Sequence, residues 1–345
     1  MKNVLITGGA GFIGSNFIKN MLERYTGLNI VNLDALTYAG NYHNVEMLDS
    51  RHTFVKGSIC DTNLLEKLFE IYQFDTVINF AAESHVDRSI INPSIFVDTN
   101  VKGTQNLLEV CRKNWSLDSN NRACRHYADG VKYLQISTDE VYGTLGNNGK
   151  FTESTPLAPN SPYSASKASA DMFVRSYCNT YGFPALITRC SNNYGPNQFP
   201  EKLIPLTIKN ALQGKKVPIY GNGLQIRDWI YVKDHCEGIL TVLNEGLFGE
   251  IYNIGCKNEW TNIDIVKLIL TELSVSDSLI EYVSDRPGHD ARYAIDNTKI
   301  ESELGWVPRY KFENGIKLTI DWYLNNQDWI KNIESGEYLH CYGSI

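Results

Sequence analysis

The seven residues Gly8-Gly9-Ala10-Gly11-Phe12-Ile13-Gly14 constrain this chain more than any other feature. They directly follow an apolar run, Val4–Ile6, and open a segment with helical spacing, Gly11–Arg24. In a strand–turn–helix unit, Gly8 permits the tight turn. Gly11 lets the backbone approach a diphosphate, and Gly14 lets helix and strand pack closely. The helix N-terminus then offers free N–H groups and partial positive charge to the phosphates. A glycine triplet alone is often only a turn. Here an acid accompanies it, because Asp34 ends the second apolar run, 20 residues after Gly14. A carboxylate at that place accepts hydrogen bonds from an adenosine ribose and repels a 2′-phosphate, which points to NAD rather than NADP.

The rest of the first half repeats the pattern. Apolar runs recur at Val4–Ile6, Ile30–Leu33, Thr53–Val55, Thr76–Phe80, Tyr133–Ile136 and Ala185–Thr188. Helical spacing fills Gly11–Arg24, Asn63–Tyr72, Phe96–Lys113 and Ser161–Tyr181. Continuous apolar runs alternating with helices imply parallel strands and βαβ crossovers, hence a doubly wound α/β sheet. The polar stretch Asn114–Gly130 reads as a surface excursion before the fifth strand. After about Arg189, prolines and glycines cluster and the apolar runs shorten. Residues 1–189 therefore read as a nucleotide-binding domain and 190–345 as mainly a smaller α/β substrate lobe, with the chain returning to the first around 227–245.

Composition excludes several classes. The net charge is −7, from 32 basic and 39 acidic residues, so no basic surplus exists to neutralise a nucleic-acid backbone. No apolar run approaches the ~20 residues of a membrane helix, and the apolar stretch near Met1 is too short for a signal peptide. A cytoplasmic enzyme is expected. Its eight cysteines are scattered without a C-x-x-C pair, and its seven histidines show no H-x-x-x-H spacing, so no metal site is expected.

Two polar groupings fall where such a sheet carries chemistry. Ser161 suits a helix N-cap and Pro162 the first helical position, which puts Tyr163 in the first turn and Lys167 one turn on, on the same face. A free phenol is a poor base near neutrality. A nearby ammonium, the helix N-terminus and an oxidised nicotinamide would each stabilise its phenolate. With 20 tyrosines in the chain, one Y-x-x-x-K is expected by chance, so placement carries the weight. Thr138, Asp139 and Glu140 follow the run Tyr133–Ile136, at the strand edge where open α/β sheets bind ligands. Thr138 can donate to a substrate oxygen. Asp139 and Glu140 form a carboxyl pair that different surroundings can split into acid and base. A plain polar loop has the same spacing.

With these residues in view, the chain resembles the extended short-chain dehydrogenase/reductases and, within them, the dTDP-glucose 4,6-dehydratases. The matching stretches are TGGAGFIGSNF at Thr7–Phe17, LDALTYAGN at Leu33–Asn41, AAESHVDRSI at Ala81–Ile90, STDEVYG at Ser137–Gly143 and YSASKA at Tyr163–Ala168. They continue with NNYGPNQFPEKLIP at Asn192–Pro205, QIRDWIYVKDHC at Gln225–Cys236 and DRPGHD at Asp285–Asp290. The glycine-rich and Y-x-x-x-K motifs mark the whole superfamily, and the T-D-E triplet singles out the dehydratases. The resemblance implies a Rossmann-type fold and bound NAD. It also implies loss of water from dTDP-glucose to give a 4-keto-6-deoxy sugar for deoxysugar (for example rhamnose) synthesis.

By resemblance, Tyr163 takes the proton of the C4 hydroxyl while Thr138 positions it. Lys167 holds the ribose and tunes Tyr163, Glu140 removes the C5 proton, and Asp139 protonates the departing C6 hydroxyl. Gly8, Gly11, Phe12, Ile13 and Gly14 would line the pyrophosphate. Asp34, Leu36 and Thr37 would surround the adenosine, with Ser58 and Ile59 at the adenine. Ala81, Ala82, Ser84 and Thr99 would line the cofactor cleft, and Asn193 would reach the nicotinamide end. The sugar nucleotide would meet Ser84, Thr138, Asn192, Lys202, Leu203, Pro218, Tyr220, Arg227, Asn262, Arg286 and His289. Arg227 and Arg286 suit a diphosphate, because guanidinium forks onto phosphate oxygens; inter-lobe salt bridges would also explain them. At Ser58 the family usually has an acid able to bond the adenine amino group, so the departure bears on cofactor affinity. The helices Phe96–Lys113 and Ser161–Tyr181 would pair with their copies in a homodimer. UDP-glucose as substrate, a sugar-nucleotide 4-epimerase or decarboxylase, and a non-catalytic NAD-binding protein remain the competing readings.

Overall fold

Each of the six apolar runs becomes a strand of one parallel sheet. The computed structural model describes residues 1–46, 48–118, 120–121, 123–285 and 288–340. The first half runs β1 (Asn3–Thr7), α1 (Phe12–Arg24), β2 (Asn29–Asp34), β3 (His52–Lys56), α2 (Thr62–Tyr72), β4 (Thr76–Asn79), α3 (Val86–Ile91), α4 (Pro93–Phe96), α5 (Thr104–Trp115), β5 (Lys132–Thr138), α6 (Pro162–Tyr181) and β6 (Ala185–Cys190). The second half runs β7 (Asn192–Tyr194), α7 (Leu203–Leu212), β8 (Val217–Tyr220), β9 (Ile226–Tyr231), α8 (Val232–Glu245), β10 (Ile251–Ile254), β11 (Glu259–Thr261), α9 (Asn262–Glu272), β12 (Ile280–Val283), α10 (Thr298–Leu304), α11 (Phe312–Asn325) and α12 (Gln327–Ser335).

The main sheet has seven strands in the order β10-β6-β5-β4-β1-β2-β3, all paired in parallel. The inner strands β1, β4, β5 and β6 are buried almost throughout because helices cover both faces. Val4 and Ile6 of β1 pack with Phe17 and Ile18 of α1 on one face. Leu5 packs with Leu107 and Leu108 of α5 on the other. Chain order reverses between β1 and β4, which opens a crevice at their carboxyl ends. After β9 the chain comes back to this layer. Asn20 of α1 donates to Glu237 of α8 at 2.8 Å, and β10 then pairs with β6. A second sheet, β11-β9-β7, lies under α7, α9 and α11 with its own core of Tyr194, Trp229, Phe312 and Ile316. β8 pairs with β12 in parallel.

The expected helix Phe96–Lys113 is not continuous. Pro93 starts the short helix α4, and a wide π-helical turn over Val97–Gly103 separates it from α5. The cause is local. Asn100 in that turn gives its side-chain amide to Glu83, accepting from the Glu83 N–H at 2.8 Å and donating to its carbonyl at 2.9 Å. Gly103 lets Ile59 approach, since a Cβ there would stand 2.7 Å from the Ile59 side chain. The break ties this segment to the crevice floor, a tertiary demand that side-chain periodicity does not encode.

Candidate active site

Gly8 has φ +72°, and a Cβ on it would stand 2.6 Å from the Ala81 backbone nitrogen, so β1 turns tightly beside β4. A Cβ on Gly14 would stand 2.4 Å from the Gly8 carbonyl oxygen, so α1 rests directly on that turn. Gly11 is the N-cap, and no side chain caps the helix there. Its amino end is left open toward the crevice, as a phosphate cradle requires. Asp34 ends β2, buried; its Oδ2 accepts from Ala10 N–H at 2.9 Å and its Oδ1 from Leu36 N–H at 2.8 Å. Burial raises its pKa, and those two N–H groups pull it back. Each oxygen keeps a further lone pair for a ribose hydroxyl.

A cavity of about 350 Å³ runs along the carboxyl edge of the sheet. Every sequence-derived cofactor candidate except Leu36 lines it, and so do Thr138, Glu140, Asn192 and Lys202. Leu36 contributes its N–H to Asp34 instead. Ser58 lines the cavity while its Oγ accepts from the Cys60 N–H at 3.1 Å.

The chemistry gathers where β5 ends against the start of α6. Ser161 caps α6, accepting from Ser164 N–H at 3.1 Å, with Pro162 in the first turn. Glu140 Oε2 accepts from Ser164 Oγ at 3.2 Å, so the carboxylate hangs over the turn that carries Tyr163. Asp139 sits behind the wall, 1% exposed. Its Oδ1 accepts from Thr138 Oγ1 at 3.3 Å, and its Oδ2 has no hydrogen-bond partner among the described residues. Burial, then the charges of Glu140 and Asp228, push its pKa well up against the pull of Arg227 and so favour the protonated form. Adjacent carboxyls thus sit in different surroundings.

Tyr163 departs from expectation. Burial first, then the charge of Glu140, pushes its phenol well above the usual value rather than below it. Lys167 donates its ammonium to the Ile136 carbonyl at 2.7 Å. Burial lowers its pKa, and Asp171 opposes the drop.

The other sugar-side candidates stand apart from this cavity. Leu203, Pro218, Tyr220, Arg227, Asn262 and His289 do not line it, and Arg286 lies outside the described residues. Arg227 is 5% exposed. It donates to the carbonyls of Ile226 and Asp290 at 2.8 and 2.9 Å and stacks over Tyr293. His289 Nδ1 is 2.6 Å from Asp285 Oδ1 and meets the Tyr220 ring edge-on. Lys202 reaches from the second lobe to the Ser84 carbonyl at 3.3 Å. Single-residue reasoning missed several wall residues. Tyr38, Glu83, Phe199 and Glu201 all line the cavity. Arg88 stacks on Tyr38, whose hydroxyl is 3.3 Å from Ser84 Oγ. Each lies inside a motif stretch already singled out, and Tyr38, Glu83 and Glu201 are each next to a residue that was chosen.

A family model described as GDP-mannose 4,6 dehydratase matches residues 5–319. The dTDP-glucose 4,6-dehydratase of Xanthomonas campestris pv. campestris (strain B100) is 54% identical, over 98% of this chain and 97% of that protein. dTDP-glucose 4,6-dehydratase 1 of Escherichia coli K12 is 50% identical, over 97% and 96%. The dTDP-glucose 4,6-dehydratase of Bacillus anthracis, solved in complex with NAD, superposes with a TM-score of 0.87 at 49% identity, covering 96% of this chain and all of that one. DesIV, the dTDP-glucose 4,6-dehydratase of Streptomyces venezuelae, solved with NAD and TYD bound, gives 0.88 at 45% identity over 96% and 99%. By sequence along nearly its full length and by fold, the chain belongs to the dTDP-glucose 4,6-dehydratase family of extended short-chain dehydrogenase/reductases.

Proposed function

We propose that this protein converts dTDP-glucose to dTDP-4-keto-6-deoxyglucose and water with NAD held in the cleft. The residues fit that cofactor: an uncapped helix N-terminus at Gly11, a glycine turn with no room for side chains, and a buried carboxylate at Asp34. When bound, NAD takes hydride from C4 and gives it back at C6. Residues 1–189 hold the cofactor and 190–345 mainly the sugar nucleotide.

The chain's own groups move the protons. Tyr163 accepts the C4 hydroxyl proton, with Thr138 orienting that hydroxyl. The positive nicotinamide ring favours the phenolate that burial disfavours. Lys167, anchored on the Ile136 carbonyl, would hold the nicotinamide ribose of bound NAD. Once C4 is a ketone, the C5 hydrogen is acidic; Glu140 removes it as the C6 hydroxyl leaves and returns a proton to C5 when hydride reaches C6. Asp139 holds the proton for the departing C6 hydroxyl, with Thr138 Oγ1 between it and the cavity. Phosphate-side contacts come from Arg227 and Arg286, and Asn192, Lys202, Leu203, Pro218, Tyr220, Asn262 and His289 hold the sugar nucleotide. Arg227 exchanges its carbonyl contacts for phosphate oxygens on binding.

The carrying observation is the split pair: Glu140 on the cavity wall beside Tyr163, and Asp139 buried behind Thr138. A 4-epimerase needs no such pair, although UDP-glucose 4-epimerase of Thermotoga maritima shares the fold at 29% identity and a TM-score of 0.84, over 94% of this chain and 99% of that one.

Exposed Val97 beside α4, and Met172 and Phe173 on α6, support a homodimer in which these helices pair with their copies. No helix among the described residues is long and apolar enough to cross a membrane. A cytoplasmic place in deoxysugar synthesis, such as that of rhamnose, fits the reading.

The test uses dTDP-glucose carrying deuterium at C4. Product lighter by one water, with the label at C6, supports the reading. Label lost to solvent, or a product of unchanged mass, refutes it. UDP-glucose run in parallel decides the base.

A further inference from the structure

Two buried charges near the site have no part in the chemistry above. Arg189 of β6 and Asp171 of α6 have side chains 2% and 0% exposed, and the Arg189 Nε–H donates to Asp171 Oδ2 at 2.9 Å. The guanidinium also stacks 4.8 Å from the centre of the Tyr142 ring. Tyr142 is fixed in turn, its hydroxyl donating to Asn253 Oδ1 at 2.8 Å. Desolvating both ions costs about as much as their attraction returns, so stability alone is a weak reason for such a pair.

Its placement supplies another. Asp171 lies one helical turn beyond Lys167. Arg189 directly precedes Cys190, which lines the cavity. Tyr142 closes the turn that carries Thr138, Asp139 and Glu140. The pair therefore joins the helix bearing Tyr163 and Lys167 to the turn bearing the carboxyl pair. Asp171 Oδ1 has no hydrogen-bond partner among the described residues, so its charge is not fully spent on Arg189. The titratable groups around Asp171 are Arg189 on β6, Lys167 on α6, Tyr133 on β5 and Tyr142. Those around Lys167 are Asp171 and Cys190, and Asp171 opposes the loss of the lysine's proton.

We propose that Asp171 and Arg189 are positioning residues, holding the Glu140 turn against α6 and setting a carboxylate one helical turn from Lys167. The inference rests on the roles given to Tyr163 and Lys167 above.

Asp171→Asn is nearly isosteric, keeps an acceptor for Arg189 and removes the charge. The pH dependence of kcat on dTDP-glucose is compared for wild type, Asp171→Asn, Arg189→Lys, Arg189→Met and the Asp171→Asn/Arg189→Met pair. The alkaline limb of Asp171→Asn is expected to move down by about one pH unit with KM little changed. Arg189→Met, which strands a buried carboxylate, is expected to lose about tenfold or more in kcat. The pair variant is expected to be no worse than Arg189→Met, because the two residues act as a unit. Arg189→Lys keeps the charge balance and should leave the limb in place. An unmoved limb in Asp171→Asn, with single losses that multiply in the pair variant, overturns the proposal. Wild-type turnover in the same assay separates that failure from a failure of the proposed activity.

Discussion

Gly14 and Gly11 belong to one motif, yet the structure assigns them different work, and two alanine substitutions separate it. A Cβ on Gly14 would stand 2.4 Å from the Gly8 carbonyl oxygen and 2.8 Å from the Gly9 Cα, both backbone atoms of the turn. The turn must shift, at about 1–3 kcal/mol for overpacking. Alanine's helix preference over glycine returns up to about 1 kcal/mol. The net loss centres on about 1–2 kcal/mol, or a fall in Tm of about 1–3 °C at the ~2.1 cal/mol/K per residue of unfolding entropy typical of globular chains. A Cβ on Gly11 would meet only the Gly8 carbonyl, at 3.3 Å, and its φ of −76° suits any residue. Gly11→Ala therefore costs under about 1 kcal/mol, mostly as a poorer N-cap. Its methyl instead projects where the diphosphate approaches the open N–H groups. NAD affinity is expected to fall tenfold or more, about 1.4 kcal/mol. Thermal unfolding without NAD and calorimetric titration with NAD read the two effects apart. A Gly14→Ala protein with unchanged Tm, or a Gly11→Ala protein that binds NAD like wild type, refutes the reasoning.

Glu140→Gln should leave NAD binding intact and stop water loss, so mass spectrometry should find no product lighter by one water; normal turnover removes Glu140 from its role. Asp139→Asn should fold as wild type, because a buried neutral acid and an amide make similar demands, yet lose about a hundredfold or more in kcat as the general acid is lost. An equal loss of Tm and activity would point to packing instead. His235, fully buried with Nδ1 2.8 Å from Asn193 Oδ1, is pushed down to about 3 by burial. Its folded pKa lies below the unfolded value of about 6.5, so unfolding takes up a proton between the two, and the stability present above about pH 6.5 drains as pH falls toward 3. His235→Gln should flatten the rise of Tm with pH in that window; an unchanged slope sinks this account.

The sheet was legible because a parallel strand buried on both faces leaves an apolar run, and six such runs alternate with helices. The glycine turn, Asp34, and the cap at Ser161 were legible because backbone geometry dictates those residue types. What stayed hidden depends on contacts across the fold. Nothing in the spacing of Val97–Gly103 says that Asn100 will spend its amide on Glu83 and widen the helix. The strand β10, the short run Ile251–Ile254, was missed because its place beside β6 is set by the chain's return through α8 rather than by its own pattern. Its Asn253 bonds Tyr142 and the Phe151 carbonyl. Tyr38 and Glu201 face the cavity only because the second lobe folds against the first, which no local pattern announces.

The same limit explains why Asp139 and Glu140 could not be told apart from sequence. Neighbours on the chain at a strand end, they leave in opposite directions. Asp139 turns inward beneath Thr138, where burial and neighbouring acids leave protonation as the favourable state. Glu140 turns outward to the cavity and takes a hydrogen bond from Ser164, one residue past Tyr163. Elimination needs a carboxylate to accept a proton at one carbon and an acid to release one at the next. Two identical environments would supply either two bases or two acids. The short 3₁₀ turn over Asp139–Tyr142 makes the difference, because its tight winding sends successive side chains to different sides of the wall.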